Sequence, residues 1–173
     1  MLIFQPLTES HDRKSFDCGV LALNEFLQKT ARQHRDKGLS NTYVLLDEEN
    51  RQNILGYFTL TFLEVESDVL PVPQTRKLPK SSRLPAAKLA RLAVALNYQG
   101  KGYGALMLTE AIRRVVLTSQ EAGAVTGFFV DAKDEQACNF YLHYGFLQLI
   151  DNPFKLFLPL GSLRMLTGSL SRP

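Results

Sequence analysis

Residues Tyr98 to Ala105 read Tyr-Gln-Gly-Lys-Gly-Tyr-Gly-Ala, between an apolar, strand-like run and a long amphipathic helical pattern. Gly100, Gly102 and Gly104 fall within five positions, so no Cβ atoms crowd this stretch of backbone. A strand, a glycine-rich turn and a helix in that order let amide N–H groups face inward. The helix adds its own unpaired N–H groups and the positive end of its dipole. Such a turn seats a diphosphate, and few folds place one there. The plain alternative is a flexible turn with no ligand.

The rest of the chain has the material for one compact domain. Its 173 residues are 45% hydrophobic and 21% charged, an ordinary globular balance that can bury a single core. No apolar run approaches the roughly 18–20 residues of a membrane span, and the first residues lack a signal-peptide layout. The expected location is therefore the cytoplasm. Cys18 and Cys138 form neither a disulfide framework nor a metal spacing, and His11, His34 and His143 are scattered, so no metal is expected.

Periodicity supplies the outline. Leu2–Leu7 reads as a strand. Asp17 reads as the N-cap of a helix with a stripe of Val20, Leu23, Leu27 and Ala31, stopped by Gly38. Thr42–Leu46 and Ile54–Leu63 read as a hairpin about the polar turn Asp47–Asn53. Residues Glu64–Pro85 hold four of the eight prolines and read as a long loop with room for a short helix. Ala86–Leu96 is a strand leading into the glycine turn. Ala105, Leu108, Ile112 and Val115 then mark a helix that stops near Gly123. Val125–Asp131 is a buried strand, Asp134–Tyr144 a short helix stopped by Gly145, and Phe146–Ile150 and Phe154–Leu160 are closing strands. Residues 161–173 read as a loosely held tail after a domain of residues 1–160.

Three phosphate chemistries compete for the glycine turn. A nucleotide P-loop needs Ser or Thr directly after its Lys, whereas Gly102 and then Tyr103 follow Lys101 here, so that reading fails. A dinucleotide fingerprint is satisfied by Gly100, Gly102 and Ala105, with Asp131 ending the next strand. That fingerprint normally opens its domain, and too little chain follows this one to complete the sheet. The third option is a coenzyme A pyrophosphate loop.

Here the chain resembles the GNAT family of N-acetyltransferases. Gln99 to Gly104 matches that family's loop, Gln/Arg-x-x-Gly-x-Gly/Ala. Phe140-Tyr141-Leu142-His143-Tyr144-Gly145-Phe146 matches its helical Tyr four residues before Gly-Phe. Within the family, Phe16-Asp17-Cys18-Gly19, Leu23-Asn24-Glu25-Phe26-Leu27 and Arg91-Leu92-Ala93-Val94 resemble the GNAT toxins of bacterial toxin–antitoxin pairs. Those toxins often carry Asp where Ala95 stands here.

The resemblance implies an α/β (α+β) fold: one GNAT-type domain with a mixed, mostly antiparallel twisted sheet of about six to seven strands and about four helices. It implies acetyl-CoA as acetyl donor, with no metal and no covalent enzyme intermediate. The backbone of Gln99, Gly100, Lys101, Gly102, Tyr103, Gly104 and Ala105 would hold the diphosphate, with Lys101 adding charge. Leu92, Ala93 and Val94 would pair with the pantetheine arm, and one of their amides would polarise the acetyl carbonyl. Tyr141 would be the general acid, since a phenol of pKa near ~10 stays protonated at neutral pH. Asn139 is a candidate hydrogen-bond donor to the cofactor, and Cys138 is read as packing.

In the toxins the acceptor is aminoacyl-tRNA and a ribbon–helix–helix antitoxin restrains the enzyme. The net charge of +3 is modest, but basic residues cluster: Arg32 and Arg35 with Lys29 and Lys37, and Arg76, Lys77, Lys80 and Arg83 with Lys88 and Arg91. Arg32, Arg35, Arg76, Lys77, Lys80, Arg83 and Arg91 are therefore the candidate tRNA contacts, against the alternative of solvated surfaces. A housekeeping N-acetyltransferase would instead prefer an acidic pocket for its amine, for which Glu64 and Glu66 are the only hint. A third class is a non-enzymatic partner in a repressor complex. No residue is assigned as general base, and whether the chain forms a homodimer stays open.

Overall fold

The computed structural model describes residues 1–70, 82–122, 125–159 and 161–165. The chain divides into two units, Met1–Thr61 with Ala90–Ala111, and Phe62–Leu89 with Ile112–Pro173. Strands β3 (Asn50–Glu66) and β4 (Arg83–Val94) each pass from one unit into the other.

In the first unit, β1 (Leu2–Pro6) and β2 (Asn41–Asp47) are antiparallel, and β2 is antiparallel to β3, giving the order β1-β2-β3-β4. The hairpin between β2 and β3 is tighter than the expected turn Asp47–Asn53. Asp47 lies opposite Asn50, and its Oδ1 accepts the Glu49 N–H at 3.0 Å, an Asx-type turn that closes the loop early. Residues Val44, Leu45, Leu46, Tyr57 and Phe58 are fully buried. Burial of side chains this large is worth about 1.5–3 kcal/mol each.

The helix expected from Asp17 to Gly38 is corrected in two respects. It begins at Leu21, because Gly19 at φ +83° turns the chain first, and Asp17 is not its N-cap. It is also interrupted: α1 (Leu21–Glu25) passes through a π-turn, Phe26–Thr30, into α2 (Ala31–Asp36). Within that turn Phe26 and Leu27 are buried, and the Tyr57 hydroxyl donates to Leu23 O at 2.7 Å. Gly38, at φ +70°, ends the helix as the sequence predicts.

The second unit has the order β3-β4-β5-β7-β6, with β5 (Gly127–Asp131), β6 (Leu147–Gln148) and β7 (Lys155–Pro159). β4 and β5 run parallel over Ala87–Leu89, whereas β5–β7 and β6–β7 are antiparallel. Among the described residues the seven strands and four helices fit the expected fold class. The loop expected over Glu64–Pro85 is corrected at both ends: β3 runs to Glu66, Ser67–Val69 form a 3₁₀ turn, and β4 starts at Arg83, while residues 71–81 lie outside the described residues. Pro85 sits inside β4, where its exposed position and its carbonyl, which accepts Thr126 N–H at 2.9 Å, let it join the strand. β4 also ends two residues early, since Leu96–Tyr98 coil into a 3₁₀ turn.

α3 (Tyr103–Ala122) carries the buried stripe Leu108, Ile112 and Val115. α4 (Glu135–His143) is capped by Asp134, whose Oδ1 accepts the Ala137 N–H at 2.8 Å. β6 shrinks from Phe146–Ile150 to two residues because Phe146 turns inward, 1% exposed. The first part of the expected tail is not loose. Residues 161–165 form a helical turn and Leu163 is fully buried. Among the described residues no helix is long and apolar enough to cross a membrane, and no three His, Cys, Asp or Glu side chains gather as metal ligands.

Candidate functional site

The glycine turn is built as its sequence demands. After Val94 the chain passes through the 3₁₀ turn to Gln99, then Gly100 at φ +75° and Gly102 at φ +82°, before α3 begins at Tyr103. Both values lie in the left-handed region that a Cβ makes costly. A Cβ built on either glycine meets nothing within 4 Å, so these residues are required by backbone shape rather than by crowding. Leu106 N donates to Gly102 O at 3.1 Å, which leaves the amides of Tyr103, Gly104 and Ala105 as the first turn of the helix, without intrahelical acceptors. The result is a run of N–H groups without intrahelical acceptors at the positive end of a 20-residue helix.

The turn is held from behind by the Phe16–Gly19 segment. Asp17 O accepts Leu96 N–H at 2.9 Å, and Gln99 Nε2 donates to Cys18 O at 3.0 Å and to Val94 O at 2.9 Å. Asp17 Oδ1 accepts from Gly19 N at 2.8 Å and Asn24 Nδ2 at 2.9 Å, and Asn24 Oδ1 takes Cys18 N–H. The side chain of Gln99 is thus consumed in bracing, and its backbone N–H donates to Leu96 O at 3.3 Å, closing the 3₁₀ turn. Tyr98 was missed by sequence reasoning: its ring stacks on Tyr103 (centroids 6.3 Å apart, 18° between planes), Lys101 Nζ lies 5.2 Å from its centre, and Asn53 Nδ2 donates to its hydroxyl at 3.3 Å. The signal was present as paired aromatics flanking the glycines.

The strand before the turn supplies Leu92, Ala93 and Val94. They lie beyond Leu89, the last β4 residue in register with β5. Arg91 places its guanidinium 3.5 Å from the centre of the Phe26 ring, held there by the π-turn.

In the second unit Tyr141 lies on α4, 7% exposed, with ring contacts to Phe146 at 5.5 Å and Phe140 at 5.2 Å. Gly145, at φ +90°, reverses the chain, and Phe146 N donates to Tyr141 O at 3.2 Å. Burial pushes the Tyr141 phenol up to about 12, so it is protonated throughout the neutral range. Asn139 is exposed on the same helix. Cys138 is buried, its thiol 3.5 Å from Pro153 O, as its packing role predicts.

The candidate basic residues separate. Arg76, Lys77 and Lys80 lie outside the described residues. Arg83 is exposed and pairs with Glu64 at 3.5 Å. Lys88 pairs with Asp131 at 2.5 Å. Arg32 is tied to Glu9, and Arg35 donates to Leu7 O at 2.5 Å and lies 3.8 Å from Asp36, so both brace their own unit.

Comparison with known proteins places this geometry. The profile of the acetyltransferase (GNAT) domain matches residues 38–148. The chain is 28% identical to the "Probable toxin TacT" of Sinorhizobium fredii (strain NBRC 101917 / NGR234), over 96% of this chain and 95% of that one. It is also 28% identical to the tRNA-acetylating toxin of Mycobacterium tuberculosis (strain ATCC 25618 / H37Rv), over 94% of each. Among solved structures, AtaT complexed with acetyl-methionyl-tRNAfMet superposes with a TM-score of 0.87 at 35% identity, covering 96% of this chain and 99% of that one. A tyrosine-to-phenylalanine AtaT mutant bound to the C-terminus of the antitoxin AtaR and acetyl-CoA gives 0.79 at 33% identity, covering 97% and 99%.

Proposed function

The chain belongs to the GNAT acetyltransferases and is an acyltransferase; from that premise we propose that it is a toxin that moves acetyl from acetyl-CoA onto the amino group of an aminoacyl-tRNA, blocking translation. One observation carries the choice of substrate. The likeness to AtaT, a protein seen with acetylated methionyl-tRNA, extends over 96% of the chain, well outside the 38–148 segment common to the family. The N-terminal segment that braces the glycine turn is part of that extension.

The residues present fit the donor. The amides of Gly100 to Ala105, opened by two left-handed glycines, suit a diphosphate, whereas the Gln99 amide expected with them is engaged by Leu96 O; Lys101 adds a positive charge. Leu92 to Val94, beyond the last β5 partner, leave strand amides to pair with the pantetheine arm and to polarise the carbonyl under attack. Acetyl transfer forms a C–N bond and breaks a C–S bond; the amine gives up a proton and the sulfur gains one. Tyr141, held neutral by burial, hydrogen-bonds the departing sulfur. Asn139 lies two positions before Tyr141 on the same helix and is exposed, as a further donor to the arm. Transfer is direct, within a ternary complex. Arg83, with Arg76, Lys77 and Lys80, is proposed to contact the tRNA backbone from the second unit, and Arg91, Arg32 and Arg35 from the first, where Arg32 and Arg35 also brace their own unit. A ribbon–helix–helix antitoxin is the expected restraint, in line with relatives solved on an antitoxin.

Incubation with labelled acetyl-CoA and total charged tRNA tests the reading. Label should enter the aminoacyl fraction, and Tyr141→Phe should lower turnover by about 10²–10³, the usual worth of one preorganised hydrogen bond to developing charge. Its acetyl-CoA affinity should hold. Label confined to protein or small amines, or near-normal turnover in the variant, contradicts the assignment.

A further inference from the structure

Two stretches of the toxin-like sequence pattern, Phe16-Asp17-Cys18-Gly19 and Leu23-Asn24-Glu25, take no part in the proposed chemistry, yet one side chain joins them. Asn24 stands half-buried on α1, in the same unit as the whole glycine turn. Its Oδ1 accepts the Cys18 N–H at 2.9 Å and its Nδ2 donates to Asp17 Oδ1 at 2.9 Å. The same Oδ1 of Asp17 takes the Gly19 N–H at 2.8 Å, so three successive residues are fastened by one amide and one carboxylate. Held this way, the loop turns two carbonyls toward the glycine turn. Asp17 O accepts Leu96 N–H at 2.9 Å, and Cys18 O accepts from Gln99 Nε2 at 3.0 Å. Gln99 donates its other amide proton to Val94 O, 2.9 Å away, and Gly100 follows directly. Leu96 also packs over Gly19, where a Cβ would stand 3.0 Å from its Cδ2. The path from Asn24 to the residue before Gly100 is therefore two links long, Asn24 to Cys18 and Cys18 to Gln99.

We propose that Asn24 is a positioning residue for the diphosphate seat: by pinning Asp17 and Cys18 it fixes the carbonyls that hold the 3₁₀ turn, and so the direction of the Gly100 to Ala105 amides. The inference rests on the acetyl-CoA reading above and names a residue outside the seat that sets its affinity. Local propensity gives no reason for an asparagine at this place. It is one of the poorer helix formers, and leucine or glutamine would serve a half-buried helical position better. A residue that breaks local preference while making two hydrogen bonds to a loop points to the loop, not to its own helix. A neighbouring clamp offers the contrast. Gln28 Nε2 donates to Lys14 O at 3.4 Å and to Phe16 O at 3.2 Å, so it too ties the N-terminal segment to the helix. Those carbonyls precede Asp17, and the bonds to Leu96 and Gln99 do not run through them.

The test uses the full chain, acetyl-CoA and total charged tRNA. Asn24→Leu keeps the volume and the helix propensity and removes both hydrogen bonds. Kd and KM for acetyl-CoA should rise about tenfold, the lower end of what one amide bond to a charged group is worth. At saturating acetyl-CoA, kcat should stay within about twofold, and so should KM for charged tRNA. Gln28→Leu also unties the N-terminal segment, yet its acetyl-CoA affinity should match the wild type. Asn24→Asp asks the same question if Asn24→Leu fails to fold. The charged side chain facing position 24 is that of Asp17, Glu25 beside it being paired with Lys29 at 3.5 Å. Two ionised carboxylates repel there, whereas at lower pH one takes up a proton and donates to the other, remaking the bond. Acetyl-CoA affinity of Asn24→Asp relative to the wild type should therefore recover as pH falls from about 8 to about 5. Wild-type affinity in a folded Asn24→Leu, an equal loss in Gln28→Leu, or an Asn24→Asp ratio that ignores pH overturns the inference. No acetyl-CoA binding by the wild-type chain removes the donor reading and this inference with it, whereas normal binding by every variant removes this inference alone.

Discussion

Replacing Gly102 with alanine separates backbone strain from ligand loss, because the chain contains its own control. Gly102 has φ +82° and Gly38 has φ +70°, and a Cβ at either meets nothing within 4 Å. Each alanine therefore introduces the same fault, a left-handed L-residue worth about 1–2 kcal/mol. For a domain of this length 1 kcal/mol moves the melting temperature by about 2–4 °C, so both variants should melt roughly 2–8 °C lower. Only one of them touches the proposed diphosphate seat. The open space above Gly102 is where oxygen atoms would approach the backbone, and a methyl group there displaces at least one amide bond to a charged group. Such a bond is worth about 1.5–3 kcal/mol. At 1.4 kcal/mol per decade, acetyl-CoA affinity should fall about 10–100-fold in Gly102→Ala and stay within twofold in Gly38→Ala. Titration calorimetry at matched protein concentration reads both. Wild-type affinity in a folded Gly102→Ala, or an equal loss in Gly38→Ala, would refute the placement of the diphosphate on this turn.

Two further outcomes are expected. His11 is 4% exposed, its Nδ1 accepts the Thr8 N–H at 3.0 Å, and burial lowers its pKa below 6.5. Folding thus favours the neutral ring, and the unfolded chain takes up the proton first. That contribution to stability is complete above pH 6.5 and drains away as pH falls below it. Melting temperatures measured from pH 7 to 5 should drop, with a shallower slope in His11→Gln; identical slopes would exclude His11. Arg83 pairs with Glu64 while their side chains are 71% and 64% exposed, so Arg83→Glu should cost under about 1 kcal/mol of stability. Its tRNA affinity should weaken and the salt dependence lose about one charge's worth of slope, with acetyl-CoA binding intact; unaltered tRNA binding would take Arg83 off that surface.

How much of this was legible in the sequence depended on whether the constraint was local. Gly100 and Gly102 announce a turn because only glycine holds those dihedrals cheaply, and Gly38 and Gly145 announce helix ends for the same reason. The stripe of α3 follows from its period alone. Asp17 could not be read correctly, since an Asp before an amphipathic stretch looks the same whether it caps a helix or braces a loop. What decides is its carbonyl bond to Leu96, 79 positions along the chain. The π-turn at Phe26 left no mark in the pattern, because its payoff is a packed ring beneath Arg91. Pro85 hid the start of β4, and Arg32 and Arg35 looked like free cations until Glu9 and Leu7 O claimed them.

The position of Tyr141 also limits what its phenol can do in the proposed reaction. Burial against Phe140 and Phe146 carries it to about 12, whereas an ordinary thiol titrates at about 8.5. Handing its proton outright to a thiolate would be uphill by ~3.5 units, about 5 kcal/mol at 1.36 kcal/mol per unit. A hydrogen bond held on the sulfur while charge develops carries no such penalty, and it is strongest where water is excluded. The phenol therefore stabilises the leaving group by donating a hydrogen bond, and the proton that finally settles on sulfur is the one released from the amine. Tyr141 ends the cycle as it began, neutral. That accounting explains why a residue so deeply buried can serve the reaction without a base to reset it.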